Sequence, residues 1–192
     1  MASLPNMFPL ATRVGEGTVE LMEFGNFACH QCRQTRALVY SVRNEYSHQV
    51  CYSFRHFPNP LHASSMLASL AAEAARRQGY FWPMYQALFT LPVMTHGAVT
   101  ELASDLGLDH NQFVTDLASE QLRLTLDEDQ REGQRLGVMK TPTLFVAGQQ
   151  FHGKWTPSRL LPIIRAQLSR VAQPLLSRVD PANGVIYWGK EA

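Results

Sequence analysis

Glu20-Leu21-Met22-Glu23-Phe24-Gly25-Asn26-Phe27-Ala28-Cys29-His30-Gln31-Cys32-Arg33-Gln34-Thr35 decides how the rest of the chain is read. Apolar Val19, Leu21, Met22 and Phe24 precede a Gly-Asn turn signal, which predicts a buried strand. A Cys-X-X-Cys dithiol then opens a helical pattern, so Cys29 is expected at a helix N-terminus. The first helical turn presents unpaired amide N–H groups and about half a positive charge, which favour a thiolate. Thiols so placed have pKa values of about 3.5 to 7.5 instead of about 8.5, so the nucleophilic form is populated at neutral pH. Cys29 is read as the attacking sulfur. Cys32, one turn inward on the same side, is read as the resolving sulfur. His30 and Gln31 stand between them and influence the poise. Either His30 favours the Cys29 thiolate, or it is a solvated loop histidine.

The chain has 192 residues, 45% hydrophobic and 17% charged, which suits one soluble, globular domain or a core domain with an insertion. A net charge of +1 makes no electrostatic case for nucleic acid or an anionic membrane as partner. No apolar run approaches about 18 residues, so no membrane span is expected. Met1 to Arg13 lack a basic region before a long apolar core, and Pro5 and Pro9 interrupt them, so no signal peptide is read there. The chain as written is assigned to the cytoplasm, or to the periplasm or another extracytoplasmic space if a leader has been removed. Three cysteines do not make a disulfide scaffold. Cys51, inside the strand-like Val50-Cys51-Tyr52-Ser53-Phe54, is expected to be an inert core thiol.

Working outward, residues 1–17 read as an arm ending in the Gly15-Glu16-Gly17 turn. A helix is predicted from Cys32 to about Tyr46 and a second strand from Val50 to Phe57, broken by Pro58-Asn59-Pro60. Helices are predicted over Ala63–Arg77, Trp82–Phe89, Val99–Leu106, Asn111–Leu117 and Glu120–Leu136. Gly79, Gly107 and Gly137 act as stops. Leu144–Val146 and Gln150–His152 form a hairpin about Ala147-Gly148-Gln149. A last helix starts either at Thr156-Pro157 or, preferred because Pro162 would break the first choice, near Leu161. The division is an arm at 1–17, a core at 18–60 and 137–172, an inserted helical subdomain at 61–136 and a tail at 173–192, with a short extended piece at Val185–Trp188.

Strand, Cys-X-X-Cys helix, strand, helical insertion, Thr-Pro before a strand, hairpin and helix: this order resembles the thioredoxin superfamily, specifically its DsbA-like branch. Phe54-Arg55-His56-Phe57-Pro58 carries the resemblance, with Ala72 to Gly79 followed by Phe81-Trp82, Leu106-Gly107-Leu108-Asp109, and Gly137-Val138 with Thr141-Pro142-Thr143. It implies an α/β fold, a central mixed sheet flanked by helices, and a thiol-disulfide oxidoreductase that exchanges disulfides with protein substrates and is recycled by a redox partner. Such an enzyme needs no metal and no organic cofactor. The resemblance further implies that Pro142 is a cis-proline facing the dithiol and that the Thr141 backbone pairs with bound peptide. Glu23, six residues before Cys29, matches the family's buried acid, which can take the Cys32 proton; the alternative is a solvated strand carboxylate. The His30-Gln31 pair departs from the Pro-His of well-known DsbA proteins and the Gly-Pro of thioredoxin, so the family's potentials do not carry over. Two other readings compete. One is a glutathione-dependent transferase or isomerase of thioredoxin fold, against which Cys32 argues. The other is a metal-binding module using Cys29, Cys32 and a histidine or Cys51, which lacks a second ligand pair.

Overall fold

The computed structural model describes residues 13–176. The expected arm up to residue 12 and the expected tail from residue 177, with the extended piece at Val185–Trp188, lie outside the described residues. The elements are β1 (Arg13–Val14), β2 (Val19–Gly25), α1 (His30–Glu45), β3 (Val50–His56), α2 (Ala63–Arg77), α3 (Phe81–Leu88), α4 (His96–Asp105), α5 (His110–Leu117), α6 (Glu120–Arg135), β4 (Thr143–Val146), β5 (Gln149–Gln150) and α7 (Pro157–Leu176). The sheet order is β1-β3-β2-β4-β5. Among the described residues only β2 and β3 run parallel, joined by the α1 crossover, and the other pairs are antiparallel.

Register determines what faces the dithiol. Side chains alternate along a strand, so Val19, Leu21 and Glu23 of β2 share one face, as do Val50, Tyr52 and Phe54 of β3. That face carries the main core, where Phe27, Phe54, Tyr85, Leu88 and Phe89 pack beneath α1 and α3. Met22 and Phe24 point the other way, into a smaller cluster with Val138 and Phe145. Cys51 alternates with Tyr52 and so points away from the main core; it is fully buried, and desolvation raises its pKa. Antiparallel pairing of β4 with β2, Thr143 opposite Phe24, brings the segment before β4 to the end of β2 from which the dithiol loop departs.

The second hairpin strand is Gln149–Gln150 and not Gln150–His152, α4 begins at His96 and not Val99, and two further expectations need correction. The last helix starts at Pro157, not near Leu161, and continues through Leu176, so residues 174–176 are helix instead of turn. Pro162 removes one amide donor near the helix start, where the orphaned carbonyl belongs to exposed Ser158 and can be solvated. Burial of Leu160 and Ile164, both 0% exposed, outweighs that loss. Second, part of the expected arm is sheet: Arg13 and Val14 pair with Ser53 and Tyr52. Gly17 permits this close approach, because a Cβ there would lie 2.1 Å from Gln49 C and Val50 N. Gly17→Ala is therefore expected to destabilise the fold by about 1–3 kcal/mol, the usual cost of overpacking, read as a lower denaturant midpoint. An unchanged midpoint would show that the backbones separate freely.

Helices α2–α6 separate β3 from β4. The Ala-rich α2 is buried along most of its length from Leu67 to Ala75, and its one buried carboxylate, Glu73, is paired. His56 Nε2 lies 3.1 Å from Glu73 Oε1, and Arg76 Nε donates to Oε2 at 2.6 Å. Burial pushes Glu73 up, but His56 and Arg76 outweigh it and hold the carboxyl below its ordinary range. Arg55 pairs with Asp129 of α6 at 2.8 Å, and His56 N donates to the same carboxylate at 2.7 Å. These bonds tie the helical block to the end of β3 nearest the dithiol.

Candidate active site

The loop leaving β2 is organised by Asn26. Its side-chain oxygen accepts from Ala28 N at 2.9 Å and from Ser65 Oγ at 2.8 Å, while its carbonyl accepts from Cys29 N at 3.0 Å. Ser65 in turn accepts from Asn59 N at 3.0 Å, so the first turn of α2 and the Pro58-Asn59-Pro60 loop brace the dithiol. Phe27 is fully buried and Phe81 is 2% exposed, so neither lines a substrate groove. Apolar side chains of this size gain more from burial than from exposure at a groove.

Cys29 is the N-cap of α1, half-buried, while Cys32 is buried one turn inward. The Cys29 pKa falls to about 5: the Cys32 thiol donates to it, the Thr141 side chain and the Cys32 and Gln31 amides add donors, and burial opposes them. Cys29 Sγ also lies 3.4 Å from the Thr141 carbonyl. The thiol can donate there, and ionisation exchanges that bond for the amide and hydroxyl donors. Cys32 is pushed far up, because its proton is held by Cys29 and because burial and the Glu23 charge disfavour a second anion. Alkylation across pH is expected to follow Cys29 with an inflection near pH 5, Cys32 staying unmodified. Earlier labelling of Cys32 would reverse the assignment of the two sulfurs.

Glu23 is 1% exposed. Desolvation raises its carboxyl to about 8, with the Cys29 charge adding to the rise and the Tyr52 hydrogen bond opposing it. The Tyr52 hydroxyl donates to Glu23 Oε2 at 2.8 Å and lies 3.1 Å from the Tyr85 hydroxyl. Glu23 Oε1 is buried without a hydrogen-bond partner. His30 and Gln31 are exposed. Neither side chain bonds to Cys29 among the described residues; Gln31 contributes its backbone amide. The Thr141-Pro142 bond is cis and stands directly before β4.

Sequence reasoning did not find Asn26, Ser65, Tyr52 or Tyr85 as parts of the site. An Asn before a dithiol is a turn signal that could have been followed, whereas the tyrosines carry no local sign of their partner. Two recesses lie on this side of the fold, the first lined in part by Cys29 and the second by Gln31 and Pro142 without either cysteine. One, about 440 Å³, runs past Asn59, Met139 and Thr141; the other, about 650 Å³, runs past Gln31, Pro142, Phe151 and Trp155. A larger cavity, about 910 Å³, lies beyond α1 and includes neither cysteine. No group of three or more His, Cys, Asp or Glu placed to hold a metal ion occurs among the described residues. None of their helices is long and apolar enough to cross a membrane.

A dithiol at a helix N-terminus, set on a mixed sheet opposite a Thr-Pro loop, defines a thioredoxin-like fold with a helical insertion. A thioredoxin family model matches residues 15–166, and the chain belongs to that family, with the fold of the DsbA-like thiol-disulfide oxidoreductases. Similar solved structures include BdbD from Bacillus subtilis, with a TM-score of 0.75 and 20% identity over 82% of this chain and 92% of that one. Wolbachia pipientis alpha-DsbA1 aligns with a TM-score of 0.76 and 16% identity over 90% and 96%. A thioredoxin-like oxidoreductase from Silicibacter pomeroyi DSS-3 aligns with a TM-score of 0.73 and 28% identity over 81% and 91%. Among curated relatives, a Na(+)/H(+) antiporter NhaA 1 of Mycolicibacterium gilvum is 30% identical over 155 residues, 79% of this chain but 25% of that protein. The chain spans about a quarter of the length of the curated relatives it matches.

Proposed function

We propose that the chain exchanges disulfides with protein substrates through Cys29 and Cys32. The observation that carries this reading is the half-buried Cys29 sulfur at the N-cap of α1, held as a thiolate near neutral pH and open to the recess past Asn59, Met139 and Thr141. In the reducing direction Cys29 Sγ attacks one sulfur of a substrate disulfide, forming a mixed disulfide and releasing the other sulfur as a thiolate. Cys32 then gives up its proton, attacks Cys29 Sγ and releases the second substrate thiolate, leaving Cys29 and Cys32 oxidised. The oxidising direction is the reverse, with the same atoms and electrons.

Glu23 is assigned the Cys32 proton. While Cys29 is charged it helps keep Glu23 protonated; forming the mixed disulfide removes that charge, so more carboxylate is present when Cys32 must ionise. The Thr141-Pro142 segment is assigned to substrate pairing, and Met139, 89% exposed at the edge of one recess, supplies apolar contact.

A stabilised Cys29 thiolate favours the reduced form and therefore makes the couple more oxidising. Equilibration with graded glutathione buffers, with alkylatable thiols counted by mass, is expected to place the couple above about −270 mV, toward about −120 mV. A value at or below the thioredoxin figure would refute the oxidant-side poise, and no reversible two-electron change would refute the exchange reading itself. The potential also bears on compartment: a couple far above the cytosolic glutathione poise is held reduced there, so an oxidant role and the cytoplasmic assignment pull apart.

A further inference from the structure

The cavity beyond α1 has features the dithiol chemistry does not use. Arg33, Arg36, Tyr40 and Arg43 succeed one another at spacings of three and four residues, which puts them on one side of α1. Facing them are Trp82 and Tyr85 of α3 and Phe89 just past its end, with Tyr52 of β3 between. The Arg36 guanidinium lies 5.9 Å from the centre of the Phe89 ring, and that of Arg43 lies 5.9 Å from the Trp82 ring. Arg33 and Arg36 each donate once to a main-chain carbonyl, of Leu91 and Gln86. Among the described residues no carboxylate lines the cavity, and none of the three arginines is in an ion pair.

Three like charges along one helix face repel one another unless an anion lies among them. A guanidinium set against an aromatic ring keeps its planar fork of donors in one orientation, which suits an oxyanion, and most of each fork's five donors remain unspent. Tyr52, Tyr85 and Phe89 are nearly closed off behind the cleft, and the partly exposed Trp82 with Tyr40, 59% exposed, supplies the complementary surface for an apolar body. At about 910 Å³ the cavity falls within the size of small-molecule sites, about 300 to 1,000 Å³.

We infer that this cleft binds a small organic anion, a flat or elongated apolar body lying along Trp82 and Tyr40 with a carboxylate or phosphate held by Arg36 and Arg43. The ligand need not be a disulfide substrate, because neither Cys29 nor Cys32 lines the cleft.

Titration calorimetry on the full chain with 2-naphthoate, with uncharged 2-naphthalenemethanol and with inorganic phosphate separates the two contributions. The expected result is a single naphthoate site at least about tenfold tighter than either comparison compound. That advantage should disappear in an Arg36→Gln/Arg43→Gln double variant that retains its circular dichroism; if the double variant misfolds, Arg43→Gln alone carries the same comparison. Acid and alcohol binding alike, phosphate binding as tightly as naphthoate, an advantage that survives the arginine changes, or no binding at all would each overturn the assignment. Binding is read without thiol chemistry, so its failure and the failure of disulfide exchange are separate results.

Discussion

In a Cys29→Ser variant, reduction of a protein disulfide is expected to fall to the rate of buffer alone, while Cys32→Ser still performs the first attack and accumulates mixed disulfide. The asymmetry follows from the site. Cys29 is half-buried at the helix N-cap, where the amides of Gln31 and Cys32 and the thiol of Cys32 stabilise its charge. A serine hydroxyl there is neither ionised nor a sulfur nucleophile. Cys32 is 1% exposed, and its anion is opposed by burial and by Glu23, so it cannot reach substrate first. Cys32→Ala, which unlike serine has no group to donate, should also move the alkylation inflection of Cys29 up from about pH 5 toward the ordinary thiol range, because one donor to the thiolate is gone. Non-reducing mass spectrometry of each variant with a substrate disulfide reads both outcomes. Adducts trapped on Cys32 in the Cys29→Ser protein would exchange the two roles.

Glu23→Gln is expected to stabilise the fold in mildly alkaline solution. The Glu23 carboxyl rises from 4.5 to about 8 on folding, chiefly through desolvation. The native state therefore holds this proton more tightly than the unfolded chain, and the stability associated with it is fully present below pH 4.5. It is lost progressively as pH rises, until the native carboxyl has ionised above about pH 8. Each tenfold difference in proton affinity between the folded and unfolded chain corresponds to about 1.4 kcal/mol, so the loss approaches about 5 kcal/mol. Glutamine resembles the neutral carboxyl, can still accept from the Tyr52 hydroxyl and does not ionise. Urea titrations should show variant and parent alike near pH 4.5 and the variant more stable by several kcal/mol at about pH 8.5. The same change should slow release of substrate from the mixed disulfide, because no carboxylate remains to take the Cys32 proton. Equal stabilities at both pH values would mean that Glu23 titrates normally and is not the proton acceptor.

The arginine-lined cleft meets this site at its floor. Tyr52 and Tyr85 line the cleft while joining, hydroxyl to hydroxyl, the carboxyl of Glu23. The two places are thus distinct in lining and contiguous in structure.

Much of the chain's organisation could be read locally because its signals act over a few residues. Gly79, Gly107 and Gly137 follow helix ends with φ of 81°, 78° and 78°, the left-handed conformation that glycine adopts without a Cβ clash. The Cys-X-X-Cys spacing likewise set one sulfur at the start of α1 and the other a turn inside it. Local rules failed where packing opposed them: Pro162 argued for a late start to α7, but Leu160 and Ile164 hold the earlier turn against the core. The two-residue β1 has no periodicity to detect and exists through its pairing with β3.

Residue identity and spacing were enough to name the chemistry present: a dithiol at a helix N-terminus, a carboxyl in the preceding strand and a Thr-Pro turn far along the chain. Their ionisation and exposure depend on long-range contacts. Cys29 meets Thr141 across 112 residues and Glu23 meets Tyr52 across 29, contacts made by strand register and not by neighbours in the chain. Whether a carboxyl is buried or solvated, and how strongly a thiolate is held, depends on the dielectric and donors that surround it. Those surroundings exist only once the sheet has closed against α1 and α3.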